Sequence, residues 1–133
     1  MRRIFLGAAI VAVFATLLVS GHLALIEIGR EVVVLRTPLP DGTWNETRLW
    51  IVEDGGSAWL LSAGAKWVER FAGHPVVEVE RRGATLRYRA KPVPGPHSRV
   101  DDLLREKYGL ADRWVRFIAP DGEDTVEVRL EPL

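Results

Sequence analysis

Cysteine is absent from this 133-residue chain, which excludes disulfides and thiolate metal sites but is compatible with either side of a membrane. Histidine is sparse and scattered, at His22, His74 and His97, so no metal-ligand spacing is present and no metal is expected. An excess of either charge is missing too, with 18 basic and 18 acidic residues, and nothing in that balance attracts nucleic acid. Internal repeats and low-complexity runs are also lacking.

From Ile4 to Ile26 charge is missing altogether. Twenty-three helical residues at about 1.5 Å each span a bilayer core of about 30 Å. Residues 1–28 therefore read as a transmembrane anchor, contacting the membrane through residues 4–26, or as a signal sequence. Val19-Ser20-Gly21 offers small residues for cleavage, whereas Leu23, Leu25 and Ile26 carry the apolar run beyond a usual signal core. Arg2 and Arg3 before the run, against Glu27 and Glu31 after it, place the remainder of the chain outside by the positive-inside rule.

Residues 29–133 suit one small domain with a single core. Glu31 to Arg36 reads as a strand, its unbroken Val32-Val33-Val34-Leu35 run suggesting burial on both faces, and Pro38 to Gly42 as the turn of a hairpin. The returning strand, Trp44 to Glu53, places Trp44, Glu46, Arg48, Trp50 and Val52 on one face and Thr47, Leu49 and Ile51 on the other. Arg48 is thus set among aromatic and apolar neighbours. It can hold an anion or stack on a planar ring, or simply lie along the outer surface.

A third strand, Ala58 to Leu61, runs into Ser62-Ala63-Gly64-Ala65-Lys66-Trp67-Val68-Glu69-Arg70-Phe71-Ala72-Gly73-His74-Pro75. Gly64 opens a compact helix there, Trp67 and Phe71 stand one turn apart on its buried stripe, and Gly73 to Pro75 stop it. Lys66 in the first turn opposes the helix dipole. An anion held by Lys66, the Ser62 hydroxyl and the first N–H groups relieves that conflict. The alternative is a surface helix with solvated cations.

Val76 to Arg81 and Thr85 to Val93 form a further hairpin about Arg82-Gly83, with Val77, Val79, Leu86, Tyr88 and Ala90 inward. The outward row of Arg87, Arg89 and Lys91 pairs with Glu78 and Glu80, or Arg87 grips an acidic ligand tail. Ser98-x-x-Asp101 reads as a capping box opening a helix that ends at Gly109, followed by a shorter helix over residues 111–118. Tyr108 and Trp114 on these helices are either core or a lid over a bound ring. The final strand, Thr125 to Glu131, turns Val126, Val128 and Leu130 inward and Glu127 to water. Six strands with about three short helices predict an antiparallel barrel with flanking helices.

Trp67 to Pro75, the Val-rich strand after it and Arg87-Tyr88-Arg89-Ala90 resemble the W-Y-x-N-L-x-x-N-P region of the deazaflavin (F420)-dependent nitroreductase family. Val68, Arg70 and His74 depart from that pattern. Thr47-Arg48-Leu49-Trp50, Arg105 to Gly109 and Val128 to Pro132 are similar to small relatives in the pyridoxamine-phosphate-oxidase-like superfamily. The resemblance implies a mainly β, six-stranded split barrel that seats F420 or FMN against its wall, with Arg48, Ser62, Gly64 and Lys66 at the phosphate or acidic tail and Trp67 holding the helix. It also implies a homodimer.

Such a cofactor carries the hydride itself, so no catalytic dyad is expected. The activity implied is that of a membrane-anchored oxidoreductase acting on a small, lipophilic molecule such as a quinone or nitroaromatic. F420 supply favours the inside of the cell, against the charge rule. The competing reading is a non-catalytic tethered barrel that binds a protein or an acidic small molecule. An oligonucleotide-binding type of barrel fits the helix insertion and the charge less well.

Overall fold

The structure is a computed structural model describing residues 2–62 and 66–133, without the side chains of residues 2–6, 27 and 66. It has two compact units, residues 1–30 and 31–133. The first is helix α1, Arg2–Glu27, within which Gly7–Ile26 is long and apolar enough to cross a membrane.

The second unit is built on strands β1 (Val32–Pro38), β2 (Trp44–Trp50), β3 (Val52–Asp54), β4 (Ser57–Ser62), β5 (Val76–Arg81), β6 (Ala84–Val93) and β7 (Val126–Pro132). Helix α2, Lys66–Glu69, follows β4, while α3, Ser98–Tyr108, and α4, Leu110–Ile118, lie between β6 and β7. All the strand pairings are antiparallel, in the order β2-β1-β5-β6-β7-β4-β3. Its two outer members, β2 and β3, are consecutive in sequence and separated by Ile51 alone. The sheet therefore curls round until one kinked segment serves both ends, and the fold is a split β-barrel.

That kink is why seven strands stand where six were expected. The predicted strand Trp44 to Glu53 changes partner at Ile51, pairing with β1 before it and β4 after it. The alternation of faces persists through the kink, with Ile51 inside the barrel and Val52 outside it under α3, and both are buried. Val33, Leu35, Leu60, Val77, Val128 and Leu130 fill the interior. An outer layer of Val52, Val100, Leu104 and Tyr108 packs with Trp50, Trp59, Leu61 and Leu103.

Other local expectations change for physical reasons. β1 is fully buried only at Val33, Leu35 and Thr37, while Val32, Val34 and Arg36 on its other face stay half-buried. Leu86 is 52% exposed, although its cross-strand partner Val79 lies in the core. Asp101 makes no capping box with Ser98. Its carboxylate meets the His97 Nδ1 at 2.8 Å, and His97 is the residue before the helix. Glu127 is buried rather than facing water, and burial raises its pKa.

Candidate functional site

The break at Ile51 exposes a main-chain N–H and C=O that no ladder satisfies, and α3 supplies their partners. The Tyr108 hydroxyl accepts from the Ile51 N–H at 3.1 Å and donates to the Glu31 carbonyl at 2.7 Å. Lys107 Nζ donates to the Ile51 carbonyl and to Glu31 Oε1, both at 2.7 Å. The Tyr108 ring stacks on Trp50, with centroids 4.5 Å apart and planes within 8°. Burial pushes its phenol up to about 12, so the hydroxyl stays protonated at neutral pH.

Glu31 gathers three cations. Arg81 grips it in a fork, Nε to Oε2 at 3.0 Å and Nη2 to Oε1 at 2.8 Å, and Arg82 Nε lies 2.7 Å from Oε2. Hydrogen bonding to Arg81, opposed by burial and aided by Lys107, holds its carboxyl at about 2 against an ordinary 4.5. Arg82 reaches it from a left-handed backbone, φ 51°, in the turn it shares with Gly83. None of this was legible from periodicity, because the cluster joins four stretches far apart in sequence, at residues 31, 50–51, 81–82 and 107–108. Tyr108 is a wall residue and not a lid.

Beside this cluster a cavity of about 510 Å³ opens over the β3–β4 turn, lined by Glu53, Asp54, Gly55, Ser57, Arg81 and Tyr88 among others. Its cation is already engaged, since Arg81 Nη1 also bonds Glu53 at 2.7 Å. The cavity lies apart from the stretch singled out in the sequence.

At that stretch β4 ends in Ser62, fully buried in the inward row with Ala58 and Leu60. Gly64 lies outside the described residues, as does the side chain of Lys66. The expected single helix is one α-turn, Lys66–Glu69, running into a 3-10 turn, Arg70–Ala72. So few aligned peptides make a weak dipole, and an anion there depends on side-chain charge. Trp67 and Val68 pack against the barrel interior, and the Trp67 ring meets buried Phe71 edge-on at 5.7 Å. Arg70 is tied to buried Thr37 at 3.4 Å.

Arg48 stands on the exposed outer face of β2, opposite Val34 of β1. It and Ser62 therefore occupy opposite faces of the barrel wall. Arg87 pairs with Glu78 at 3.4 Å. Trp114 is half-exposed beside Phe117, centroids 6.1 Å apart.

Beneath α4, Arg116 binds Asp101 at 3.0 Å, Asp112 at 2.9 Å and also Asp121. His97, Asp101 and Asp121 are close enough to share a cation. The Arg116 guanidinium already neutralises the two aspartates.

The described residues thus form a split barrel whose second strand kinks to close it, with one short helix after β4 and two before the last strand. No family model matches the sequence and no curated protein matches it. Solved structures do share the fold. A conserved hypothetical protein of Mycobacterium tuberculosis superposes with a TM-score of 0.59 at 22% identity, over 78% of this chain and 74% of that one. A protein described as an F420 reductase gives 0.55 at 22% identity, over 85% of this chain and 94% of its own. A putative pyridoxamine 5'-phosphate oxidase from Listeria innocua gives 0.55 at 18%, over 85% and 91%.

Proposed function

We propose that this chain is a membrane-anchored oxidoreductase that binds F420 or FMN on its split barrel. The observation that carries this reading is the likeness of fold to the F420 reductase, which spans 85% of this chain and nearly all of that protein. The anchor is α1, and a small lipophilic substrate such as a quinone or nitroaromatic suits a barrel tethered where such molecules dissolve.

Arg48 and Trp67 are the described candidates with surface to offer a ligand, one exposed and one half-buried. A guanidinium facing solvent suits a phosphate or carboxylate tail, and an indole edge suits a planar ring. Ser62 supports the wall from inside, and Gly64 and Lys66 complete the proposed set. The bound cofactor supplies the hydride chemistry. The chain's own residues hold its tail, orient its ring and keep water away. The family resemblance, and not the fold comparison, is what proposes a homodimer.

The site is tested by substitution in the full chain held in lipid nanodiscs. Arg48→Glu and Lys66→Glu should each weaken FMN or F420 binding about tenfold or more, by reversing one charge beside an anion. Their thermal unfolding should stay at the wild-type temperature. Unchanged affinity in both variants removes this site. A tethered, non-catalytic binding barrel is the second reading, favoured by the apolar face that α4 turns to solvent.

A further inference from the structure

Helix α4 is amphipathic the wrong way round. Its inward face carries Ala111 and the ion pair of Asp112 with Arg116, and Asp112 is only 2% exposed. Its outward face carries Leu110, Trp114, Phe117 and Ile118, exposed by 69, 38, 79 and 48%. At about 100° per residue these four fall within one arc of roughly 100°, so they form one continuous apolar surface. Exposed Arg113 flanks that arc. A fully satisfied charge network within and bare aromatics without is the pattern of a helix that works against an apolar surface.

The position of α4 says which surface. Glu31 begins the barrel unit, and the chain arriving from α1 enters there after residues 28–30. Tyr108 and Lys107 grip that same Glu31, at 2.7 Å each, and Gly109 turns directly from them into Leu110. The apolar face thus starts beside the point where the anchor joins the barrel. A few linking residues reach about 14 Å at most, which keeps the membrane at high effective concentration whatever the protein concentration. An arginine beside Trp, Phe and Leu matches the headgroup boundary of an anionic bilayer.

We infer that the outward face of α4 docks on the surface of the bilayer that α1 spans. The inference rests on reading α1 as an anchor. It adds a second membrane contact that holds the barrel against the lipid and limits its rotation about the tether.

The absence of cysteine permits single spin labels at chosen positions in the full chain. The labels are placed at Phe117→Cys and Leu110→Cys on α4, at Leu17→Cys in α1 and at Leu86→Cys on β6 as the water-facing reference. The protein is reconstituted in vesicles of phosphatidylcholine and phosphatidylglycerol, and collisions with dissolved oxygen and an aqueous nickel chelate are measured. Positions 17, 110 and 117 should favour oxygen, with nickel collisions about tenfold below those at 86.

If 110 and 117 match 86 while 17 is in lipid, docking is wrong and the anchor stands. Water exposure at 17 defeats both. Shielding of 110 and 117 from both reagents, with spin–spin broadening, means a second copy covers the face and also overturns the inference.

Discussion

Glu31 shows how much one side chain can gather. It follows an unremarkable Arg30 in the sequence, yet its carboxylate meets Arg81, Arg82 and Lys107, and its carbonyl meets Tyr108. Its folded pKa of about 2 lies below the ordinary 4.5, so its stabilising contribution is complete above 4.5 and disappears as pH falls toward 2. A shift of this size corresponds to at most about 3 kcal/mol. Glu31→Gln should lower stability at neutral pH and flatten the loss between pH 4.5 and 2, followed by denaturant unfolding across that range. An acid limb as steep as that of the wild type would contradict the assignment. In the sequence Glu31 stands out only as a charge after the apolar helix and as the start of a strand, because nothing local marks a carboxylate whose partners lie 50 and 76 residues away.

Among the elements, the kinked second strand carries the fold. Its faces were legible, since Thr47 and Leu49 point inward and Glu46 and Arg48 outward as alternation requires. The kink was not, because Trp50-Ile51-Val52 is a good strand by composition and contains no glycine or proline to mark a break. Tyr108 stabilises that break from α3, 57 residues away. Tyr108→Phe keeps the stacking on Trp50 but leaves the Ile51 N–H buried without its acceptor, which should cost about 1–3 kcal/mol in urea unfolding. A change within a few tenths would mean that the hydroxyl is dispensable. The hairpins were readable from Asp41-Gly42 and Arg82-Gly83, whose glycines both take positive φ. Helix α4 was readable as a helix, though not as one facing outward, because pattern alone cannot say that Arg116 would be matched by three aspartates inside.

On the scale of the whole molecule, the split barrel and the long apolar helix before it were both legible, the first from hairpin spacing together with resemblance and the second from an uncharged run. The proposed cofactor site was readable only as a set of residue types. Two of its five members, Gly64 and the Lys66 side chain, fall outside what the structure describes, and Arg48 and Ser62 face opposite sides of the wall. The proposed function requires this wall to hold a redox cofactor. Titrating the full chain in nanodiscs with FMN and with F420, following cofactor fluorescence, tests it most directly. Saturable quenching of one of them, reaching its end point at one cofactor per chain, is the result predicted. Emission from both that never departs from free cofactor in buffer would contradict it.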